Sequence, residues 1–295
     1  MTGPQENINE MTTQKAIAES TDGAAWRRAL GLFIAYGLAT AALTSQGVSS
    51  MVRIWGSASY GYCALAIPLS LMMIVMIRKT WDHQAPQIWP PAAALFLAGV
   101  AAYGAGLFWS VNLLQHAAIS LLFITGAILI FGPHLARAWR FPLAFSMFMI
   151  PFGDSLLPVL QTIASYGAFQ LLLVVGADAA RDGHMISGPV GVFHVAQACA
   201  GLRFLMASLM LACLFSWLVT DDWRRRVGIV MMAAAVAIVA NAFRVFLIIL
   251  IAIKSDGGWQ GVNDHAAFGI LVYGAVFVFL LSIVAAMRPS LARSY

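Results

Sequence analysis

Val227-Gly-Ile-Val-Met-Met-Ala-Ala-Ala-Val-Ala-Ile-Val-Ala-Asn-Ala-Phe-Arg-Val-Phe-Leu-Ile-Ile-Leu-Ile-Ala-Ile253 is a run in which only Asn241 and Arg244 are polar. A helix needs about 20 apolar residues to cross a bilayer core, and this run exceeds that. Hydrocarbon offers backbone groups no partner, so such a run must satisfy its own N–H and C=O groups as a helix. Three arginines, Arg224 to Arg226, stand just before it. Basic loops mark the cytoplasmic side of a membrane, so the run starts there and climbs outward.

Similar apolar runs occur at 29–44, 60–77, 91–109, 114–132, 141–165, 199–219 and 266–287. With 227–253 they predict an all-α polytopic membrane protein of about eight transmembrane helices joined by short loops. Composition agrees: 61% of residues are hydrophobic and 10% charged, with a mean hydropathy of +0.83, far from the soluble average. Residues 1–25 read as a polar, disordered cytosolic tail, 26–288 as the membrane domain and 289–295 as a short cytosolic tail.

Charge then sets orientation. Lys15, Arg27, Arg28, Arg78, Lys79, Arg137, Arg140, Arg224, Arg225, Arg226, Arg288 and Arg293 fall on one side of these spans. Only Arg53, Arg181 and Lys254 lie in loops on the other, and Arg203 and Arg244 fall inside spans. Both termini are therefore expected in the cytoplasm. The net charge of +5 is scattered in short groups between apolar runs. It indicates membrane lipid as the partner, not nucleic acid.

Phe141 to Val175 is almost continuously apolar but is interrupted by Pro151, Gly153, Asp154 and Pro158. Cytosolic arginines on both sides require an even number of crossings between 140 and 224. Since 199–219 supplies one, 141–175 supplies one more, its remainder being a kinked extension or an interfacial amphipathic helix. The loop 177–198 is then extracytoplasmic, and Gly188-Pro-Val-Gly-Val-Phe-His-Val195 is a candidate hairpin over the site.

Helix rise brings three reactive residues to one depth. Cys199 lies 20 residues above Val219 and Arg244 lies 17 residues beyond Val227, about 30 Å and 25 Å from the cytosolic boundary. His265 opens the last run. A thiol attacks as thiolate, which a neighbouring cation stabilises. An imidazole can take and return its proton, and a guanidinium stays charged and can hold an oxyanion or a carboxylate. Cys199, Arg244 and His265 are therefore the candidate catalytic residues, for acyl transfer. An arginine deep in a span costs about 2.5–3.5 kcal/mol to insert and needs a partner or a task. Arg203 and Asn241 are the candidate substrate-binding residues: Arg203 follows Cys199 by four residues and Asn241 shares the face of Arg244. Cys63 and Cys213 read as packing residues. His116, His184 and His194 compete with His265, and Asp264 and Asp154 are the carboxylates available to orient it. Three cysteines give neither metal spacing nor a disulfide framework, and no cofactor is expected.

Ala198-Cys-Ala-Gly-Leu-Arg203, Ala240-Asn-Ala-Phe-Arg244 and His265, in that order, resemble the exosortase/archaeosortase family of polytopic membrane cysteine transpeptidases. Trp55-Gly-Ser-Ala-Ser-Tyr-Gly61 resembles its motif after the first span. Three positions differ from the commoner family residues: Gln197 and Ala200 flank Cys199 where Glu and Ser are usual, and Tyr60 stands where His is usual. The resemblance implies an enzyme of the bacterial inner membrane, with its site facing the exterior. It implies substrates that are exported proteins with a C-terminal sorting tail: a short motif, often Pro-Glu-Pro, a transmembrane helix and a basic cluster. Cys199 would be the nucleophile, Arg244 the transition-state or positioning cation and His265 the acid/base, commonly alongside exopolysaccharide production. Two other classes compete: a transporter or channel with Arg203, Arg244 and His265 along an anion path, and a non-catalytic scaffold for polysaccharide assembly. Against the first, the chain has no duplicated half and no paired broken helices.

Overall fold

The computed structural model describes residues 4–57, 59–81 and 84–255, together with 274, 278 and 282, with side chains from residue 23 onward. It is mostly helical and divides into two compact units, Met1–Pro151 and Phe152–Tyr295. Among the described residues five helices are long and apolar enough to cross a membrane, or six if one bent pair counts as a span. The protein is a multi-pass membrane protein, with fewer such helices described than the eight expected.

In the first unit, α1 (Pro4–Leu43) and α2 (Ser45–Trp55) meet at a 90° bend. The backbone is already helical through 4–25, the stretch whose composition reads as a tail. Its Gln, Glu, Lys and Ala residues are good helix formers. The bend falls at Thr44, whose Oγ1 donates to Thr40 O at 2.7 Å. The span expected at 60–77 is shorter: a 3-10 turn, Gly61–Leu65, runs into α3 (Ala66–Met76), and together they stay below span length. Pro68 sits in the first turn of α3, where its missing N–H is no loss.

Next come α4 (Ala93–Phe108) and α5 (Asn112–Ala138), an antiparallel pair joined by Trp109, Ser110 and Val111. Gly132 (φ 88°) and Pro133 break α5. Proline at 133 cannot donate to Leu129 O, four residues back. The extended segment before α4 supplies the donors instead: Trp89 N–H to Leu129 O at 2.8 Å and Gln87 N–H to Phe131 O at 3.3 Å. The short α6 (Arg140–Phe145) and a 3-10 turn, Ser146–Met149, complete the unit.

In the second unit, Gly153 (φ 116°) and a 3-10 turn, Asp154–Leu156, open α7 (Leu157–Val174). The crossing expected at 141–165 is therefore Asp154–Val174. Pro151 and Gly153 interrupt the chain ahead of it, and Pro158 falls in the first helical turn, where it is tolerated. Residues 166–174 are the continuous end of this helix, so they form no separate interfacial helix. The following loop is a three-stranded antiparallel sheet, β1 (Ala180–Asp182), β2 (Met185–Gly188) and β3 (Gly191–His194), in the order β1-β2-β3. Gly188 pairs with Gly191 across the turn, so the expected hairpin exists but begins earlier and carries a third strand.

Two long helices follow: α8 (Leu202–Val219) and α9 (Trp223–Lys254). Asp222 caps α9, its carboxylate accepting from Arg224 N–H at 3.0 Å, and Arg226 clasps the turn through Thr220 O and Asp221. α9 packs against both α7 and α8. Small residues set the α7 contact: a Cβ on Gly167 would lie 2.9 Å from Cβ of Ala242, the close approach typical of membrane helix pairs.

Candidate active site

Cys199 is presented by a turn, not by a helix. Gln197–Cys199 form a single 3-10 turn, Ala200 follows, and Gly201 takes φ 88° before α8 begins. This left-handed residue breaks the helical register. Cys199 and Arg203 therefore do not share a helix face, as their spacing of four implies. Gly201 is needed for two reasons. An L side chain is disfavoured at that φ, and a Cβ there would lie 2.5 Å from Cγ of Asn241.

That close approach positions the thiol. Asn241 Nδ2 donates to the carbonyl of Cys199 at 2.9 Å, so α9 holds the turn by its backbone. One turn along α9, Arg244 Nη2 approaches Cys199 Sγ at 3.8 Å and Nη1 reaches Asn241 Oδ1 at 3.5 Å. Arg244 is 1% exposed. Among the described residues no carboxylate pairs with it and its Nε has no hydrogen-bond partner. Its cationic group thus faces a sulfur and an amide oxygen, with donor capacity to spare.

A second anchor comes from α7. Gln161 is buried and its Nε2 donates to Val195 O at 2.6 Å, four residues before the thiol. Ala164 and Ala168 of α7, Ile186 of β2, Val195 and Phe246 of α9 form the apolar floor on which half-buried Cys199 rests. Arg181 of β1 ties the sheet to α7, with Nη2 3.4 Å from Ser165 Oγ and its guanidinium over the Tyr166 ring.

Arg203 is half-buried and stacks on its neighbour Phe204, Cζ 4.3 Å from the ring centre. Arg244 lies 5.8 Å from the same ring. Two guanidiniums thus meet one aromatic ring, a contact the ring quadrupole favours.

The structure thus brings Cys199, Asn241 and Arg244 together and sets Arg203 beside Arg244 through Phe204. His265 lies outside the described residues, as do Asp264, most of the expected span 266–287 and the tail 289–295. Among the described residues no histidine is hydrogen-bonded to Cys199: His194 is exposed at the end of β3, and His184 lends its carbonyl to Val195 N–H. His116 and Tyr60 are buried in the first unit, and the half-buried Trp55 indole donates to Met149 O at 2.8 Å. Gln161, Gly201 and Phe204 are the site residues that sequence reasoning missed. Gln161 had left a signal, a polar side chain in an otherwise apolar stretch.

No curated protein sequence and no solved structure matches the chain. The family described as transmembrane exosortase matches residues 54–282. That range contains Cys199, Asn241 and Arg244, together with α7, α8 and α9, and by this match the chain belongs to the transmembrane exosortase family.

Proposed function

We propose that the chain is a membrane cysteine transpeptidase that cleaves C-terminal sorting tails of exported proteins at the outer face of the cytoplasmic membrane. Family membership supports the coarser reading, a membrane enzyme of protein sorting. One observation carries the finer one: a fully buried guanidinium, Arg244, 3.8 Å from the Cys199 sulfur with no carboxylate to neutralise it among the described residues. Burying that charge is expensive, and the expense is offset if an anion forms beside it during turnover.

The steps follow from ordinary thiol chemistry. His265 takes the Cys199 proton, and the thiolate attacks the scissile carbonyl carbon, forming a C–S bond while the carbonyl pair moves onto oxygen. Arg244 stabilises that oxyanion. The pair returns, the C–N bond breaks, and His265 protonates the leaving amine of the tail. The thioester is then attacked by an acceptor amine, or by water, which restores the thiol. Asn241 and Gln161 hold the turn that carries the sulfur, and Arg203 receives the substrate.

The test is co-expression with an exported reporter that ends in a sorting motif, an apolar helix and a basic cluster. The wild-type chain shortens the reporter. Cys199→Ala abolishes shortening, and a hydroxylamine-sensitive adduct between reporter and enzyme accumulates when acceptor is limiting. Processing that persists in Cys199→Ala overturns the reading. An anion transporter would behave in the opposite way, tolerating Cys199→Ala and losing flux with Arg244→Ala.

A further inference from the structure

The first unit contains a cavity of about 280 Å³, near the lower end of ligand pockets at ~300–1,000 Å³. Trp26 and Phe33 of α1, Ile74 of α3, and Trp81, Phe131 and Trp139 are among its walls. Its two hydroxyl-bearing residues are turned away onto their own backbone: Ser70 Oγ donates to Ala66 O at 2.8 Å and Ser146 Oγ to Leu143 O at 2.6 Å. What remains for an occupant is hydrocarbon. The rim includes Leu30, Leu71 and Val75, all exposed, so the cavity opens on the side that lipid tails would meet.

One end is chemically different. Trp26, Trp81 and Trp139 stack together there, with ring centres 5.0, 5.3 and 6.3 Å apart. Each indole adjoins cations in the chain: Arg27 and Arg28 follow Trp26, Arg78 and Lys79 precede Trp81, and Arg137 and Arg140 flank Trp139. All six are exposed. The carboxylates nearest these six cations in the sequence are Glu19, Asp22 and Asp82, so this end keeps a net positive charge. Trp139 adds an independent sign: its Nε1–H is buried without a hydrogen-bond partner among the described residues, although a buried indole normally finds one.

We propose that this cavity is a binding site for an anionic phospholipid, with an acyl chain between α1, α3 and α5 and the phosphate headgroup among the cations around the three indoles. Basic clusters beside apolar clefts at the ends of membrane helices suit such headgroups. The charge also argues against a sorting tail as occupant, because a tail ending in a basic cluster would be repelled. The site is independent of the cysteine chemistry above.

The test uses the full chain, reconstituted in nanodiscs of phosphatidylcholine with or without phosphatidylglycerol, then released into detergent for native mass spectrometry. The wild-type chain retains phosphatidylglycerol in preference to phosphatidylcholine. Ala127→Phe, which fills the cavity from a buried wall position, loses the retained lipid of both kinds. Arg27→Gln, Arg137→Gln and Arg140→Gln, at exposed positions that leave the core intact, each reduce the preference by roughly fivefold, the usual effect of one cation at an anionic surface. Inorganic phosphate does not displace the lipid. Equal retention of the two lipids by the wild-type chain overturns the proposal. So does a preference that survives removal of all three cations, or retention unchanged by Ala127→Phe in protein whose thermal unfolding is normal.

Discussion

Arg244 concentrates the electrostatics of the described site in one side chain. Its planar fork points one nitrogen at sulfur and another at the Asn241 oxygen, which a lysine cannot reproduce. Arg244→Lys is expected to lower reporter processing by about 10²–10³-fold, the usual loss for one oxyanion donor, with the protein still inserted and folded. Asn241→Ala removes the bond that holds the Cys199 carbonyl. A lost buried hydrogen bond of this kind is worth about 1–3 kcal/mol, so turnover should fall while iodoacetamide still reaches the freed thiol. Gly201→Ala should be worse than either, since strain at φ 88° and a clash with Asn241 act together; the readout is processing alongside thermal unfolding. Asn241 and Arg244 were legible because a polar group in an apolar run is conspicuous. Gly201 was not, because a glycine does not advertise its φ, and that hidden turn is why the spacing of Cys199 and Arg203 misled.

At the level of elements, α7 is the scaffold of the site. It holds the loop before Cys199 through Gln161 and meets α9 at Gly167. Gln161→Leu is expected to leave the helices intact yet loosen residues 177–198. Limited proteolysis should then nick that loop sooner, and processing should fall. Gly167→Leu would drive α7 from Ala242, and overpacking of this sort costs about 1–3 kcal/mol, visible as a lower unfolding midpoint. Charge parity called for two crossings between 140 and 224, and two described helices there are long and apolar enough, but their boundaries could not be read from it. Pro151, Gly153 and Pro158 announce an interruption, and only the conformation reveals that it precedes the helix. The small sheet was half-visible: Gly188 and Gly191 signal a turn, whereas β1, with its charged Arg181 and Asp182, has no strand-like alternation.

For the whole molecule, the arrangement of spans makes a claim about sidedness. If the Arg224–Arg226 turn is cytosolic, the sheet and Cys199 face outward, about 27 Å away along the 18 residues of α8. A small membrane-impermeant thiol reagent applied to intact cells should therefore label Cys199 well before Cys213, which lies 14 residues deeper in the chain, and Cys199→Ala should abolish that fast phase. Labelling of Cys199 only from the inside would invert the topology. Composition made the membrane class plain, but hydropathy alone misread the run 60–77, which folds into a 3-10 turn and a helix that together stay below span length. The break in α5 has a further consequence for assembly. Two carbonyls of that helix are completed by residues emerging some forty positions earlier in synthesis, so the extended piece before α4 is a stitched seam rather than slack. Lengthening it would strip two hydrogen bonds from a neighbouring helix.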